Sequence, residues 1–218
     1  MSARGFGFGY KASGGGDGTK GIFALGYSGS SSTTRNKYTY ACCTSTACGV
    51  GAASAASYLG SAAGNSTRGI FALGISCCNS STTRNKYTYA SCTSTACGVG
   101  AASASSRSGS AAGNSTRGIF ALGFSGVGAS TTRNKYTYAC CTSTASGVGA
   151  ASAASFIGSA AGNSTRGIFA LGFSGVSFST TRNKYTYASC TSTACGVGAA
   201  SAASYEGSAA SWATCVNT

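Results

Sequence analysis

A repeat governs this chain. The phrase Gly-Ile-Phe-Ala-Leu-Gly occupies Gly21–Gly26, Gly69–Gly74, Gly118–Gly123 and Gly167–Gly172. A second phrase, Arg-Asn-Lys-Tyr-Thr-Tyr-Ala, begins at Arg35, Arg84, Arg133 and Arg182, arginines 49 residues apart each time (84−35, 133−84, 182−133). A unit of this length cannot bury its apolar faces alone, so neighbouring copies must supply each other's core. The expectation is one domain over 1–218, with a partial repeat at 1–17, repeats at about 18–64, 65–113, 114–162 and 163–211, and a closing segment at 212–218. Ala3–Tyr10 reads as a worn copy of the Thr-Arg-Gly-Ile-Phe-Ala-Leu-Gly phrase.

Thirty-four glycines and no proline, with much Ser, Thr and Ala, hint at disorder. The Ile, Phe, Leu and paired Tyr at fixed positions of every copy argue for order, because low-complexity chains lack such anchors. Each repeat reads as four short strands. The first is Gly60–Gly64, of small residues. The second is Arg68–Ile75, with Ile70 and Ala72 on one face and Phe71 and Leu73 on the other, hence covered on both sides. The third is Arg84–Ala90, with Tyr87 and Tyr89 opposite Lys86 and Thr88. Gly98–Ser103 is the weakest candidate for a fourth, open to a loop or a short helix. Asn65-Ser66 and its equivalents read as turns.

Four short strands per 40–50 residues suggest the blades of a β-propeller, with small residues lining a crowded centre and aromatics filling the space between blades. A β-solenoid is the competing architecture. The C-terminal Gly207–Val216 resembles strands one and two of a further blade, and Phe6-Gly7-Phe8 could complete it. The ring therefore has four blades with overlapped ends, or five with one composite, and closure would remove exposed strand edges.

The two phrases together resemble the kelch-like repeats of bacterial and bacteriophage proteins, including virion appendage proteins. The resemblance covers about Gly18 to Ala210 and recurs four times. It departs from kelch blades in having Leu-Gly where paired glycines follow strand two, and in lacking the late-blade tryptophan. It implies a propeller fold and a role in assembly or recognition, and it names no particular partner.

Fifteen Lys and Arg face only Asp17 and Glu206, for a net charge of +13. Most of the cations are period-locked: Arg35, Lys37, Arg68, Arg84, Lys86, Arg117, Arg133, Lys135, Arg166, Arg182 and Lys184. A closed array would show them as basic rings that attract anionic partners such as acidic glycans or acidic protein surfaces. Nucleic acid is the disfavoured member of that class. The alternative is that they serve solubility and hydrogen bonding between repeats. No run is apolar or long enough to span a membrane, and the N-terminus carries no apolar core of signal-peptide type.

Twelve cysteines need a reason. Cys43, Cys92, Cys141 and Cys190 share one repeat position; Cys48, Cys97 and Cys195 share another, where Ser146 breaks the series. If Cys92–Cys97 spans the turn between strands three and four, its ends lie opposite at the ~4 Å between Cβ atoms that a disulfide needs. The expected internal pairs are Cys43–Cys48, Cys92–Cys97 and Cys190–Cys195. Cys42, Cys77, Cys78, Cys140, Cys141 and Cys215 remain as candidates for bonds between blades or subunits. With no His, no Cys-x2-Cys and two acids, a metal site is not expected. Disulfides persist in oxidising surroundings. Without a secretion signal, that suggests a particle assembled in a cytoplasm and released by lysis.

Catalysis is not expected either, and neither is a cofactor. There is no imidazole for a triad, the two carboxylates lie in opposite terminal segments, and Gly98-Val99-Gly100 lacks the Lys of a phosphate loop. Asn65-Ser66-Thr67, Asn114-Ser115-Thr116, Asn163-Ser164-Thr165 and Asn79-Ser80-Ser81 match the glycosylation pattern and read here as turns. The Cys-Thr-Ser-Thr-Ala-Cys phrase is similar to cysteine-stapled ice-binding repeats, but its long spacing does not stack threonines closely.

Specificity in a repeat protein sits where the copies differ. Two places do. One is the loop after strand two, at Ser28–Ser32, Ser76–Ser81, Ser125–Ser130 and Ser174–Ser179. The other is Tyr58, Arg107, Phe156 and Tyr205, with Leu59, Ser108, Ile157 and Glu206 beside them. Aromatics and arginine are typical contact residues, and the alternative is drift in solvent-facing loops. The leading expectation is a non-enzymatic, disulfide-stapled structural component of a phage-like virion, such as a tail, fibre, neck or capsid appendage. Its partners would be other virion proteins or copies of itself. The alternative is a lectin-like module binding anionic host-surface glycans through the basic rings.

Overall fold

The structure is a computed structural model, and it describes residues 12–13, 20–24, 27, 30–39, 42–46, 51–76, 78–95, 99–126, 128–144, 148–193 and 197–203. Every regular element among them is a strand. The first repeat gives β1 (Ala12–Ser13), β2 (Lys20–Ala24), β3 (Arg35–Thr39), β4 (Thr44–Thr46) and β5 (Ser57–Tyr58). The second gives β6 (Ser61–Gly64), β7 (Arg68–Ala72), β8 (Ile75–Ser76), β9 (Asn79–Ser80), β10 (Arg84–Thr88), β11 (Thr93–Thr95) and β12 (Ser106–Arg107). The third gives β13 (Ser110–Gly113), β14 (Arg117–Ala121), β15 (Phe124–Ser125), β16 (Gly128–Ala129), β17 (Arg133–Thr137) and β18 (Thr142–Thr144). The fourth gives β19 (Ser159–Gly162), β20 (Arg166–Ala170), β21 (Arg182–Thr186) and β22 (Thr191–Thr193).

Each repeat is an antiparallel meander. The third sheet runs β13-β14-β17-β18 and the fourth β19-β20-β21-β22. The second is β6-β7-β10-β11 with β1 added in parallel to β6 (Ala12↔Ala62, Ser13↔Ala63), and the first is β2-β3-β4. The sheet frame therefore begins at the Ser-Ala-Ala-Gly strand, so the expected repeat boundary at 64/65 cuts through a sheet. The fourth strand is also displaced from expectation. It is the Thr-Ser-Thr segment, Thr93–Thr95, while 99–103 is irregular. β-branched threonines pack a pleated surface better than the Gly-Ala-Ser run does.

Register assigns every side chain to a face. In the second sheet, Gly69, Phe71, Asn85, Tyr87 and Ser94 share the front face, and Arg68, Ile70, Ala72, Arg84, Lys86, Thr93 and Thr95 share the back. The apolar clusters lie between repeats, as the two-sided second strand led us to expect. Phe71, Tyr87 and Tyr89 meet Ile22 of the first repeat. Ala63 and Ile70 meet Ala111, Phe120, Tyr136 and Tyr138 of the third. Ala112 and Ile119 then meet Ala160, Phe169, Tyr185 and Tyr187 of the fourth. One face of each sheet closes the interface behind it and the other opens the next.

The tight spacing explains particular glycines. A Cβ on Gly118 would stand 2.9 Å from Tyr138 Oη and 3.1 Å from Ala63 Cβ, so the tyrosine can lie against the strand only where the side chain is missing. Gly74, at φ +74°, would meet the Tyr58 and Leu59 carbonyls at 2.4 and 2.5 Å. Both the left-handed backbone and the close approach require glycine there.

Candidate functional site: buried arginine clamps and a variable edge

Two sets of side chains carry the chemistry of this surface, and the repeat separates them cleanly. The first set does not vary. Arg84 leaves the back face of its sheet and enters the front of the next one, 1 % exposed. Its guanidinium lies over the Phe120 ring, 4.6 Å from the centroid. Nη1 donates to the carbonyls of Gly100 (3.3 Å) and Ala101 (3.1 Å) and to Ser143 Oγ, and Nη2 donates to Asn134 Oδ1 at 3.1 Å. Arg35 on Phe71, Asn85 and Ser94, and Arg133 on Phe169, Asn183 and Ser192, repeat the arrangement. Each receiving asparagine is itself fixed, since Asn134 accepts from Ser103 N at 2.9 Å and donates to Ser103 Oγ at 2.8 Å.

Carbonyl, amide and hydroxyl oxygens and the negative face of a phenyl ring hold each of these cations. The cost is a pKa shift: burial lowers Arg84 and Arg133 from the ordinary arginine value to about 10, with Tyr136 and Tyr185 opposing the shift. A second row adds to the first. Arg68 donates to the carbonyl of Tyr138, and Arg117 to that of Tyr187 at 2.6 Å, each also reaching a thiol of the following repeat, Cys141 or Cys190.

The expected basic rings are thus corrected. Arg35, Arg84 and Arg133 are buried, Arg68 and Arg117 are half-buried, and all five join successive sheets. Lys37, Lys86, Lys135 and Lys184 are half-buried on the back faces. Among the described residues Arg182 reaches the carbonyls of Gly198 and Ala199 in its own repeat, and the Arg166 side chain is exposed. The physical reason is register: in the first three sheets the period-locked cations sit on the face that the next sheet covers.

Each expected internal pair, Cys43–Cys48, Cys92–Cys97 and Cys190–Cys195, has its second cysteine outside the described residues. Cys92 is the last residue of the turn 89–92, which the Thr88↔Thr93 pair closes. Cys92, Cys141 and Cys190 are free thiols, and they share with Cys43 the left-handed turn position, with φ between 51° and 55°. Cys48, Cys97 and Cys195, with Cys77 and Cys215, lie outside the described residues. Cys42, Cys78 and Cys140 are free and exposed. Cys42 and Cys140 contact Thr44 and Thr142 Oγ1 as Ser91 and Ser189 contact Thr93 and Thr191, so cysteine and serine alternate at one turn position. A hydrogen bond from Thr142 lowers the Cys140 pKa. Among the described residues no three potential metal ligands gather, and no helix is long and apolar enough to cross a membrane.

Behind the clamps sits a layer of buried phenols. Burial, with the neighbouring Cys92, Cys141 and Cys190 thiols adding to it, raises Tyr87, Tyr136 and Tyr185 above the ordinary value of 10. Burial likewise raises Tyr138 and Tyr187.

The second set is the variable one. The two places where the repeats differ meet along one edge. β5 pairs with β8, and β12 with β15, so Tyr58 and Arg107 are laid against the start of the loop that follows strand two. In the fourth repeat single bridges join Phe156 to Phe173 and Phe173 to Phe178. The side chains form a ladder. Arg107 lies over Phe124 at 4.2 Å and donates to Ser80 Oγ at 3.3 Å. Phe124–Phe156, Phe156–Phe173 and Phe173–Phe178 follow at 5.4, 5.4 and 5.2 Å between centroids, and Tyr27–Tyr58 at 5.3 Å. Tyr27 and Phe178 are close to half exposed, and Val176 is 93 % exposed. Backbone bonds from Ser108 N to Leu59 O and from Ile157 N to Ser108 O, both 2.8 Å, tie the edge from repeat to repeat.

Tyr58, Arg107 and Phe156 are thus brought together with their loops, and Tyr205 lies outside the described residues. Sequence reasoning missed Tyr27, Phe124 and Phe173, which directly follow Leu-Gly. Aligning the copies would have found them, because that position reads Tyr, Ile, Phe, Phe. It also missed Asn85, Asn134, Ser94 and Ser143 as receptors, since amide and hydroxyl residues in a polar chain give no distinctive signal. Comparison with known proteins finds no family model and no curated protein that matches this chain.

Proposed function

We propose that the protein is a non-catalytic scaffold of propeller-like blades, a component of a virion appendage or similar extracellular assembly, that docks partners through its variable edge. The observation that carries the reading is the ladder. The clamps are identical from copy to copy, whereas the residues that differ gather as the Phe124–Phe156–Phe173–Phe178 ladder and the Tyr27–Tyr58 pair, beside exposed Val176. A drifting solvent loop has no reason to keep aromatic faces in contact from one repeat to the next. Support for blades around a common centre, rather than a straight stack, comes from β1, which touches β6, β13 and β19 alike.

The competing lectin reading changes its location. Most of the arginines are consumed inside the array, which weakens attraction by charged rings, while aromatic faces suit stacking against sugar rings. Capture of partner proteins from a disrupted particle by the wild-type chain, lost in a Phe178→Ser, Val176→Asp double variant, would support docking. Glycan-array binding lost in that same variant would favour the lectin. Binding unchanged by the double variant would overturn the edge as the site.

A further inference from the structure

Between the second and third sheets, beneath the variable edge, lies a cavity of about 10 Å³, room for one particle close to the size of a water molecule. Arg84, Arg107, Ser61, Ser81, Thr83 and Ser106 contribute to its wall, and among the described residues no acidic side chain does.

What faces this space is a set of donors. Arg84 is buried, and its Nε–H has no acceptor among the described residues, although Nη1 and Nη2 are both engaged. None of the groups that accept from Nη1 and Nη2 (Gly100, Ala101, Ser143 and Asn134) borders the cavity, so the Nε side of the arginine is the side that meets it. Ser81 Oγ accepts from the Thr83 amide at 2.9 Å, which leaves its own hydrogen to give. Arg107 adds a second cation. It lies over Phe124 and donates to Ser80 Oγ at 3.3 Å, and a guanidinium has five N–H groups to offer.

Two guanidinium groups on one small cavity repel each other, and a buried N–H without an acceptor is unfavourable. A water molecule would relieve only the second penalty, whereas a negative charge relieves both. The chain itself is short of anions, with Asp17 and Glu206 against fifteen Lys and Arg, so most of its cations draw their counter-ions from solution.

The next interface provides an internal comparison. A cavity of about 10 Å³ between the third and fourth sheets has Arg133, Ser110, Ser130 and Ser155 in its wall, and Arg133 Nε is also buried without an acceptor among the described residues. There Phe156 takes the place of Arg107, so this cavity has one cation where the other has two.

We propose that the cavity of Arg84 and Arg107 binds one monatomic anion, chloride in ordinary saline solution, held by Arg84 Nε–H, the Arg107 guanidinium and the Ser81 hydroxyl. The Arg133 cavity, with an aromatic ring in place of the second cation, holds the ion far more weakly. The second and third repeats are therefore joined through a counter-ion, and the strength of that join follows the surrounding chloride. The site is independent of what the aromatic edge docks.

The test is a chloride titration of the full chain at fixed pH and ionic strength, with gluconate replacing chloride, read by chlorine NMR line width and by thermal unfolding. In the wild-type chain chloride is expected to broaden the line saturably and to raise the Tm over the same concentration range. Arg107→Phe copies the residue that the next repeat already uses, and it weakens the binding at least about tenfold, because a charged hydrogen bond is lost. Arg107→Gln, which removes the charge and keeps a donor, weakens it in the same direction, and Arg107→Lys restores part of it. A wild-type chain whose Tm ignores chloride and whose line does not broaden saturably holds water in the cavity, and overturns the proposal. Broadening that never saturates, with a Tm that follows ionic strength alone, reports surface cations only and overturns it as well. So does binding that is unchanged in both Arg107→Phe and Arg107→Gln.

Discussion

Replacing Arg84 with alanine should cost this protein far more than replacing Arg182, although the two hold the same place in the same phrase. Arg84 makes four hydrogen bonds and lies on the Phe120 ring. Bonds from a charged donor are worth about 1.5 kcal/mol each at the low end, so four give about 6 kcal/mol. The ring adds about 1.5 kcal/mol. Against this stands the cost of burying the guanidinium: lowering its pKa from the ordinary arginine value to about 10 converts to about 3 kcal/mol. The balance is a loss of about 4–5 kcal/mol, within the range for removing one member of a buried charged network. Among the described residues half-buried Arg182 makes two bonds, to Gly198 and Ala199, with no ring beneath it, and its truncation should cost about 1 kcal/mol. Urea unfolding followed by tyrosine fluorescence, at a concentration where the chain is monomeric, measures both. An Arg84→Ala chain within about 1 kcal/mol of wild type, or equal losses at the two sites, would refute the reasoning.

Gly118→Ala should destabilise by about 1–3 kcal/mol, because its Cβ meets Tyr138, Ala63 and Phe120 at 2.9–3.1 Å; Gly128→Ala, with nothing within 4 Å, should be close to neutral in the same unfolding assay. Alkaline pH should unfold the protein. Five phenols have folded pKa values raised above their unfolded value, so the stability they supply is full below about pH 10 and lost above it. Arg84 and Arg133, lowered to about 10, work in the opposite sense over the same window, and they are outnumbered. A pH titration of phenolate absorbance should show these tyrosines ionising only as the circular dichroism collapses; smooth ionisation of all tyrosines near pH 10 would contradict their burial. Iodoacetamide under native conditions should label exposed Cys140 well before Cys141 and Cys190, which peptide mass mapping reads directly.

How much of this could be read from the residues differs by element. The two-sided strand Arg68–Ala72 was legible because Ile70 and Phe71 point to opposite faces, and those faces belong to two different interfaces. The face assignment of Tyr87, Tyr89, Lys86 and Thr88 follows the same alternation. The fourth strand was not legible, because Thr93–Thr95 is only three residues long and sits between cysteines that suggested a turn. Charge misled most. A period-locked arginine reads as surface until register shows that its face is covered, and a guanidinium solvated by carbonyls and a phenyl ring leaves no paired acid in the sequence to betray it. The ladder was half legible: Tyr58, Arg107 and Phe156 stood out by variation, but only the pairing of β12 with β15 shows that they meet the loops.

The buried clamp is the centre of this account, and arginine side-chain NMR tests it directly. At neutral pH the guanidinium protons of Arg35, Arg84 and Arg133 should exchange slowly and be shifted upfield by the rings of Phe71, Phe120 and Phe169. Those of Arg166 should exchange at the solvent rate. Three slow, ring-shifted guanidinium groups would establish the clamps; uniform fast exchange across all the arginines would contradict them, and with them the stacking of one repeat on the next.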